Sequence, residues 1–172
     1  MVIQLMKGKV IKLRKKKRVV DNERAISVVS FVLGKEEFAV GLKYLKEVLR
    51  PSKVTPIPSN TSFIEGVINL RGEVIPIIDM RKRFGLESKE FDEESRILII
   101  ELYEDAGYLG FIVDLVHEVI KIKESSIKSP LEEDKHLNFV KGVAKLGDRF
   151  ITLLNLAEIP LSHEEVKMER FV

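Results

Sequence analysis

The chain repeats itself. Residues 62–80, "SFIEGVINLRGEVIPIIDM", lie over residues 138–156, "NFVKGVAKLGDRFITLLNL", without a gap. Phe63/Phe139, Gly66/Gly142, Val67/Val143, Leu70/Leu146 and Ile75/Ile151 are identical. Ile64/Val140, Val74/Phe150, Ile77/Leu153, Ile78/Leu154 and Met80/Leu156 keep their apolar character. Upstream, "KEVLRPSKVTPIP" (46–58) echoes "HEVIKIKESSIKSP" (117–130), with Glu47-Val48 matching Glu118-Val119. Side chains alternate between the faces of a strand, so matched apolar positions put the same side of each strand against a core in both copies. Each half reads as one small β-barrel: a hairpin, a Glu-Val strand, a proline-ended loop and a Gly-Val hairpin. Halves of this size bury too little surface to be very stable alone, so they are expected to pack together.

Turn chemistry supports the strands. "AISVVSFVLG" and "EEFAVG" flank Gly34-Lys35, with glycine first as a type II′ hairpin prefers. Gly72 and Gly147-Asp148 turn the two repeated hairpins, and Asp105-Ala106-Gly107 joins two β-branched and aromatic runs. Many short strands at even spacing give an all-β class. Helical periodicity is confined to "MRKRFGL" after Met80 and a tail from about Asn155, which Pro160 must break or restart. The charged stretch "ESKEFDEES" marks a boundary near 84–96. The first barrel is then expected over about 25–84 and the second over about 96–156. A helical tail over 161–172 follows, and the C-terminal segment is expected to return to the first barrel.

The absence of cysteine excludes disulfides, a thiol nucleophile and thiolate metal sites. No apolar run approaches the roughly 20 residues of a membrane helix. Net charge is +2, but residues 1–20 hold eight lysines and arginines and no acid, leaving 21 bases against all 27 acids in the body. Residues 1–24 therefore read as a basic extension, mobile up to about Asn22 by self-repulsion, in which "MVIQL" is apolar enough to add a strand to a sheet edge. Such an arm suits nucleic acid or anionic lipid through counterion release, and a nucleic-acid-binding β-barrel is the alternative function. The acidic body and a 7% aromatic content argue against it.

Little catalytic chemistry is legible. His117, His136 and His163 have no metal spacing, and no phosphate-cradling glycine loop or nucleophile elbow occurs. His117 reads as a rim histidine. Asp79 and Asp114, each after a β run, read as caps of the next turn or short helix rather than as general acids. No enzyme, metal or cofactor is expected.

"EFAVGLKYLKEV", "FIEGVINLRGEVIPIIDMRKRFG", "LGFIVDLVHEVIKI" and "GVAKLGDRFITLLNL" together resemble the CheW family of chemotaxis coupling proteins, over about residues 27–158. The resemblance implies two packed five-stranded SH3-like β-barrels. It implies a non-enzymatic adaptor, cytoplasmic and recruited to receptor arrays at the membrane. Its partners are then methyl-accepting chemoreceptor tips and the regulatory domain of the histidine kinase CheA. A coupling protein of a related pathway such as twitching motility shares the same motifs. By the same resemblance, Arg71 of the Asn-Leu-Arg-Gly motif and Glu47 of the Glu-Val strand are functional and close enough to bond. Leu45, Gly66, Gly110, Val116, Val119 and Gly142 correspond to the groove for receptor tips. The second copy keeps Glu118 but has Gly147 where the first has Arg71. A requirement of folding alone is expected to apply to both copies, so this asymmetry points to function for Arg71.

Overall fold

The computed structural model describes residues 3–6, 9–12, 24–59, 61–130 and 138–159. The expectations for the arm beyond Lys12, for Pro160 and for the helical tail lie outside the described residues. The strands are β1 (Ile3–Met6), β2 (Lys9–Lys12), β3 (Ala25–Leu33), β4 (Glu36–Gly41), β5 (Leu45–Leu49), β6 (Ile64–Leu70) and β7 (Glu73–Asp79). A single α-helical turn, α1 (Met80–Arg83), follows. Then come β8 (Arg96–Ile100), β9 (Leu109–Val113), β10 (Leu115–Lys123), β11 (Ile127–Lys128), β12 (Val140–Leu146) and β13 (Arg149–Leu154). The protein is all-β, in two packed β-barrels. The strand expected at "MVIQL" forms, but it pairs with β2 in a separate two-stranded sheet and not with a barrel edge.

The first barrel is a sheet of order β5-β8-β9-β7-β6. The linker after β5 swings round to the far edge, where Thr55 and Val67 exchange backbone hydrogen bonds of 2.8 and 2.9 Å and close the barrel. The second has order β10-β3-β4-β13-β12-β11. Here β10 passes through a 3₁₀ turn at Glu124–Ser126 into β11, so one segment serves both edges. Among the described residues, closure leaves few open strand edges, which limits edge-to-edge pairing with other chains.

This arrangement corrects the expected division at 84–96. The hairpin β3–β4 belongs to the barrel built on β10–β13, and the hairpin β8–β9 belongs to the barrel built on β5–β7. The halves have exchanged hairpins. Hydrophobic burial explains the exchange, because the exchanged strands are apolar on both faces. Along β8, Ile97 and Ile99 point into the first barrel, while Leu98 and Ile100 join a core shared by both sheets. Along β3 and β4, Val28 and Ala39 point into the second barrel, while Val29, Phe31, Phe38 and Val40 join that shared core. A strand buried on both faces has to lie at the contact between barrels. The shared core also takes Met80 of α1 and Ile159 at the end of the described chain.

The sequence repeat is a structural repeat. Both Gly-Val hairpins carry a β-bulge at the same place, at Glu65 in β6 and at Lys141 in β12. The Asp79 and Asn155 amides donate to the Phe63 and Phe139 carbonyls at 2.8 and 2.7 Å. Gly34 has φ +63° and Lys35 is not left-handed, as a type II′ turn requires.

Candidate functional site

Arg71 and Glu47 meet. Arg71 Nη2 lies 2.6 Å from Glu47 Oε2 and Nη1 lies 3.4 Å from Oε1, a two-pronged contact between the β6–β7 turn and β5. The arginine hydrogen bond holds the Glu47 carboxyl below its ordinary range. The pair is open to solvent, with the arginine side chain 71% exposed. Next to it Val48 and Val74 are exposed as well. An ion pair of this kind adds little stability.

The other expected site residues divide into two sets. Leu45 on β5 and Val116 on β10 are half-buried against the shared core, and Val119 is 57% exposed. They occupy matching places, because each barrel's edge strand has a register shift there, after Leu45 in one and after Val116 in the other. The three glycines are buried and answer to packing. A Cβ on Gly66 stands 2.0 Å from the Thr55 carbonyl oxygen, and one on Gly142 stands 2.7 Å from that of Lys128. These are the same closing contact in the two barrels. A Cβ on Gly110 stands 2.4 Å from Ile77 Cδ1 in the first barrel's core.

Asp79 caps the helix that follows it, as expected, whereas Asp114 does not cap the turn after itself but holds the distant β3–β4 turn and the Arg81 side chain. Asp79 Oδ1 accepts from the Arg81 amide at 2.9 Å and opens α1, and burial raises its pKa. Asp114 accepts from the Gly34 amide at 2.8 Å and from Arg81 Nη2 at 2.7 Å. Burial opposes its charge, but those donors outweigh burial and lower its pKa. Among the described residues no group of three His, Asp or Glu side chains is placed to hold a metal ion. No helix among them is long and apolar enough to cross a membrane.

The family model for the CheW-like domain matches residues 27–163. The chain belongs to the CheW family. It is 33% identical to the chemotaxis protein CheW of Helicobacter pylori, over 81% of this chain and 84% of that one. It is 34% identical to that of Bacillus subtilis, over 74% and 82% of the two chains. Among solved structures, the scaffolding protein CheW from Thermoanaerobacter tengcongensis superposes with a TM-score of 0.77 at 37% identity, covering 84% of this chain and 99% of that one. A CheW protein is a chemotaxis adaptor.

Within this CheW fold the second barrel has a glutamate–arginine pair of its own. Glu118, the counterpart of Glu47, is bonded by Arg149, whose Nη1 lies 2.7 Å from Glu118 Oε1. Gly147 does replace Arg71 in the turn, but the cation has moved to Arg149, which lies over Glu73 in the repeat. The expectation that only one copy carries the pair is therefore corrected. The distinction is one of exposure and backbone: Arg71 sits in a left-handed turn position with φ +49°, whereas Arg149 begins a strand. Arg149 also bonds Glu37, and His117 lies beside both, a cluster that sequence reading passed over. The "GDR" after the second hairpin's first strand was the available signal, since Arg149 falls directly after the turn.

Proposed function

We propose that the chain couples the cytoplasmic tips of methyl-accepting chemoreceptors to the histidine kinase CheA, without catalysing a reaction itself. The surface around Glu47 and Arg71 on the first barrel, continued by Leu45, Val116 and Val119, takes the receptor tip. A barrel-to-barrel contact takes the kinase regulatory domain, which brings the protein to receptor arrays at the membrane. The observation that carries this reading is the exposed Glu47–Arg71 pair, held by an arginine in a backbone conformation that favours glycine. Strain kept at an exposed turn, where folding gains little, points to a partner.

Calorimetric titration with the cognate CheA regulatory domain tests the kinase arm, with an expected Kd in the micromolar range or tighter, about −8 kcal/mol. Titration with a receptor-tip fragment tests the other arm. Absence of heat and of co-migration with either partner at roughly tens of micromolar overturns the reading.

A further inference from the structure

Strand β10 breaks register at the residues that carry the repeated glutamate. Val116 pairs with Phe31 and Val119 with Val29, so His117 and Glu118 together oppose Ser30 alone. That two-against-one count defines a β-bulge. A bulge deprives backbone groups of ladder partners, and buried ones must find others. Ser30, wholly buried, supplies one, its hydroxyl donating to the Glu118 carbonyl at 3.3 Å.

Arg149 grips the same two residues through their side chains. Its Nη1 donates to Glu118 Oε1 at 2.7 Å, and its Nη2 lies 3.1 Å from His117 Nδ1. Its Nε and Nη2 donate to Glu37 Oε2 and Oε1 at 3.1 and 2.5 Å, and Glu37 Oε1 lies 3.0 Å from His117 Nδ1. Ser30, Glu37 and Arg149 come from β3, β4 and β13, so three strands converge on a two-residue irregularity in a fourth.

The first barrel carries the same device. Leu45 pairs with Ile100 and Glu47 with Ile99, which leaves Lys46 as the extra residue. Lys46 is held by Glu101 at 2.7 Å and Glu47 by Arg71 at 2.6 Å. In each barrel the residue after the gripped glutamate is an exposed valine, Val48 or Val119. A bulge re-aims the side chains that follow it, and here the re-aimed side chain is apolar and faces water in both copies.

We infer that Arg149 is a positioning residue for partner docking: with Ser30 and Glu37 it holds the β10 bulge so that Val119 stays turned outward to meet the receptor tip. The inference rests on the docking surface proposed above. Arg149 acts through the strand and supplies to the second barrel what Arg71 supplies to the first. A lysine is a poor substitute, because a single ammonium does not reproduce a planar fork that reaches two carboxylates on different strands.

The test titrates a receptor-tip fragment into the full chain and its Val119→Ser, Arg149→Ala, Arg149→Lys and Ser30→Ala variants, with the CheA regulatory domain titrated in parallel. Val119→Ser and Arg149→Ala are each expected to weaken tip binding about tenfold, and Ser30→Ala and Arg149→Lys to weaken it by about threefold to fivefold. Kinase-domain binding is expected to stay within about twofold, a readout that a generally loosened barrel moves as well. If Val119→Ser weakens tip binding while Arg149→Ala and Ser30→Ala leave it unchanged, the positioning role is overturned. If Arg149→Ala weakens both partners equally, the residue is structural only and the inference fails. If Val119→Ser has no effect, the docking surface itself is misplaced, and the inference falls with it.

Discussion

Arg71 reaches Glu47 with a 2.6 Å hydrogen bond from a backbone φ of +49°. Gly72 beside it is left-handed too, at φ +87°, and two successive left-handed residues make the type I′ turn that suits a two-residue hairpin. An arginine pays there for the clash of its Cβ with its own backbone. At the matching place in the second barrel Gly147 has φ +59° and avoids that clash.

Arg71→Gly therefore separates function from folding. The substitution relieves backbone strain and loses an exposed ion pair, and the added chain entropy of glycine in the unfolded state offsets part of the relief. The melting temperature is expected to move by less than about 4 °C, while tip binding weakens about tenfold or more. A variant that binds normally removes Arg71 from the docking surface. One that melts much lower shows that the pair is structural.

The buried glycines behave in the opposite way. Gly66→Ala brings a Cβ to 2.0 Å from a backbone oxygen, at a φ of +148° that alanine rarely adopts, and no side-chain adjustment relieves it. Gly142→Ala meets the Lys128 oxygen and Ile127 Cγ2, each at 2.7 Å, without a left-handed φ. Urea titration is expected to show losses of about 3 kcal/mol or more for Gly66→Ala and about 1–3 kcal/mol for Gly142→Ala. Equal or negligible losses contradict the closing contact. A binding defect in either variant reports the fold before it reports the surface.

Which parts of this molecule were legible in sequence follows from how far each signal reaches along the chain. The Phe63/Phe139 to Met80/Leu156 repeat is local, and the hairpins, their turns and the Asp79 cap all appeared where expected. The exchange of hairpins between barrels was not legible. Residues 25–41 carry the same β pattern whichever barrel they join, and only the burial of both faces of β3, β4, β8 and β9 decides it. Gly66, Gly110 and Gly142 were placed at the groove by the resemblance, and the close approach of Thr55, Ile77 and Lys128 to them was not legible, because a sequence shows that a glycine is present and not what approaches it. The Glu47–Arg71 pair was legible through its motif. The Glu118–Arg149 pair was hidden by a two-residue displacement of the cation, which an alignment of the repeats reports as a loss.

Glu37 links the Arg149 cluster to acid stability. Bonding to Arg149 overcomes the cost of burial and, with His117 and Ser30, lowers its pKa from 4.5 to about 2. A carboxylate depressed in the folded state contributes stability that is complete above the unfolded value and is lost as pH falls through the folded one. Unfolding free energy is therefore expected to decline between about pH 4.5 and about pH 2, more steeply in the wild type than in Glu37→Gln. Parallel acid profiles for the two proteins contradict this account.

Arg83 binds the repeat together at its centre. Its guanidinium lies 5.2 Å from the ring of Phe63 and 4.9 Å from that of Phe139, the same residue in the two copies. It also donates to the Ile159 carbonyl at 2.6 Å and to that of Glu158 at 3.2 Å, so the end of the described chain is tied to α1. Burial lowers its pKa without approaching neutrality, since arginine stays charged in proteins. Ring contacts of a partly desolvated cation and charged hydrogen bonds to carbonyls each contribute on the order of 1 kcal/mol or more. Arg83→Ala is accordingly expected to cost about 2–3 kcal/mol in urea titration. Arg83→Lys is expected to recover less than half of that, because an ammonium does not stack flat on an aromatic ring while donating to two carbonyls. Arg83→Met, which keeps the apolar stem and loses the donors, serves as the packing control. Full recovery by lysine shows that charge alone matters at this position, and full recovery by methionine shows that packing alone does.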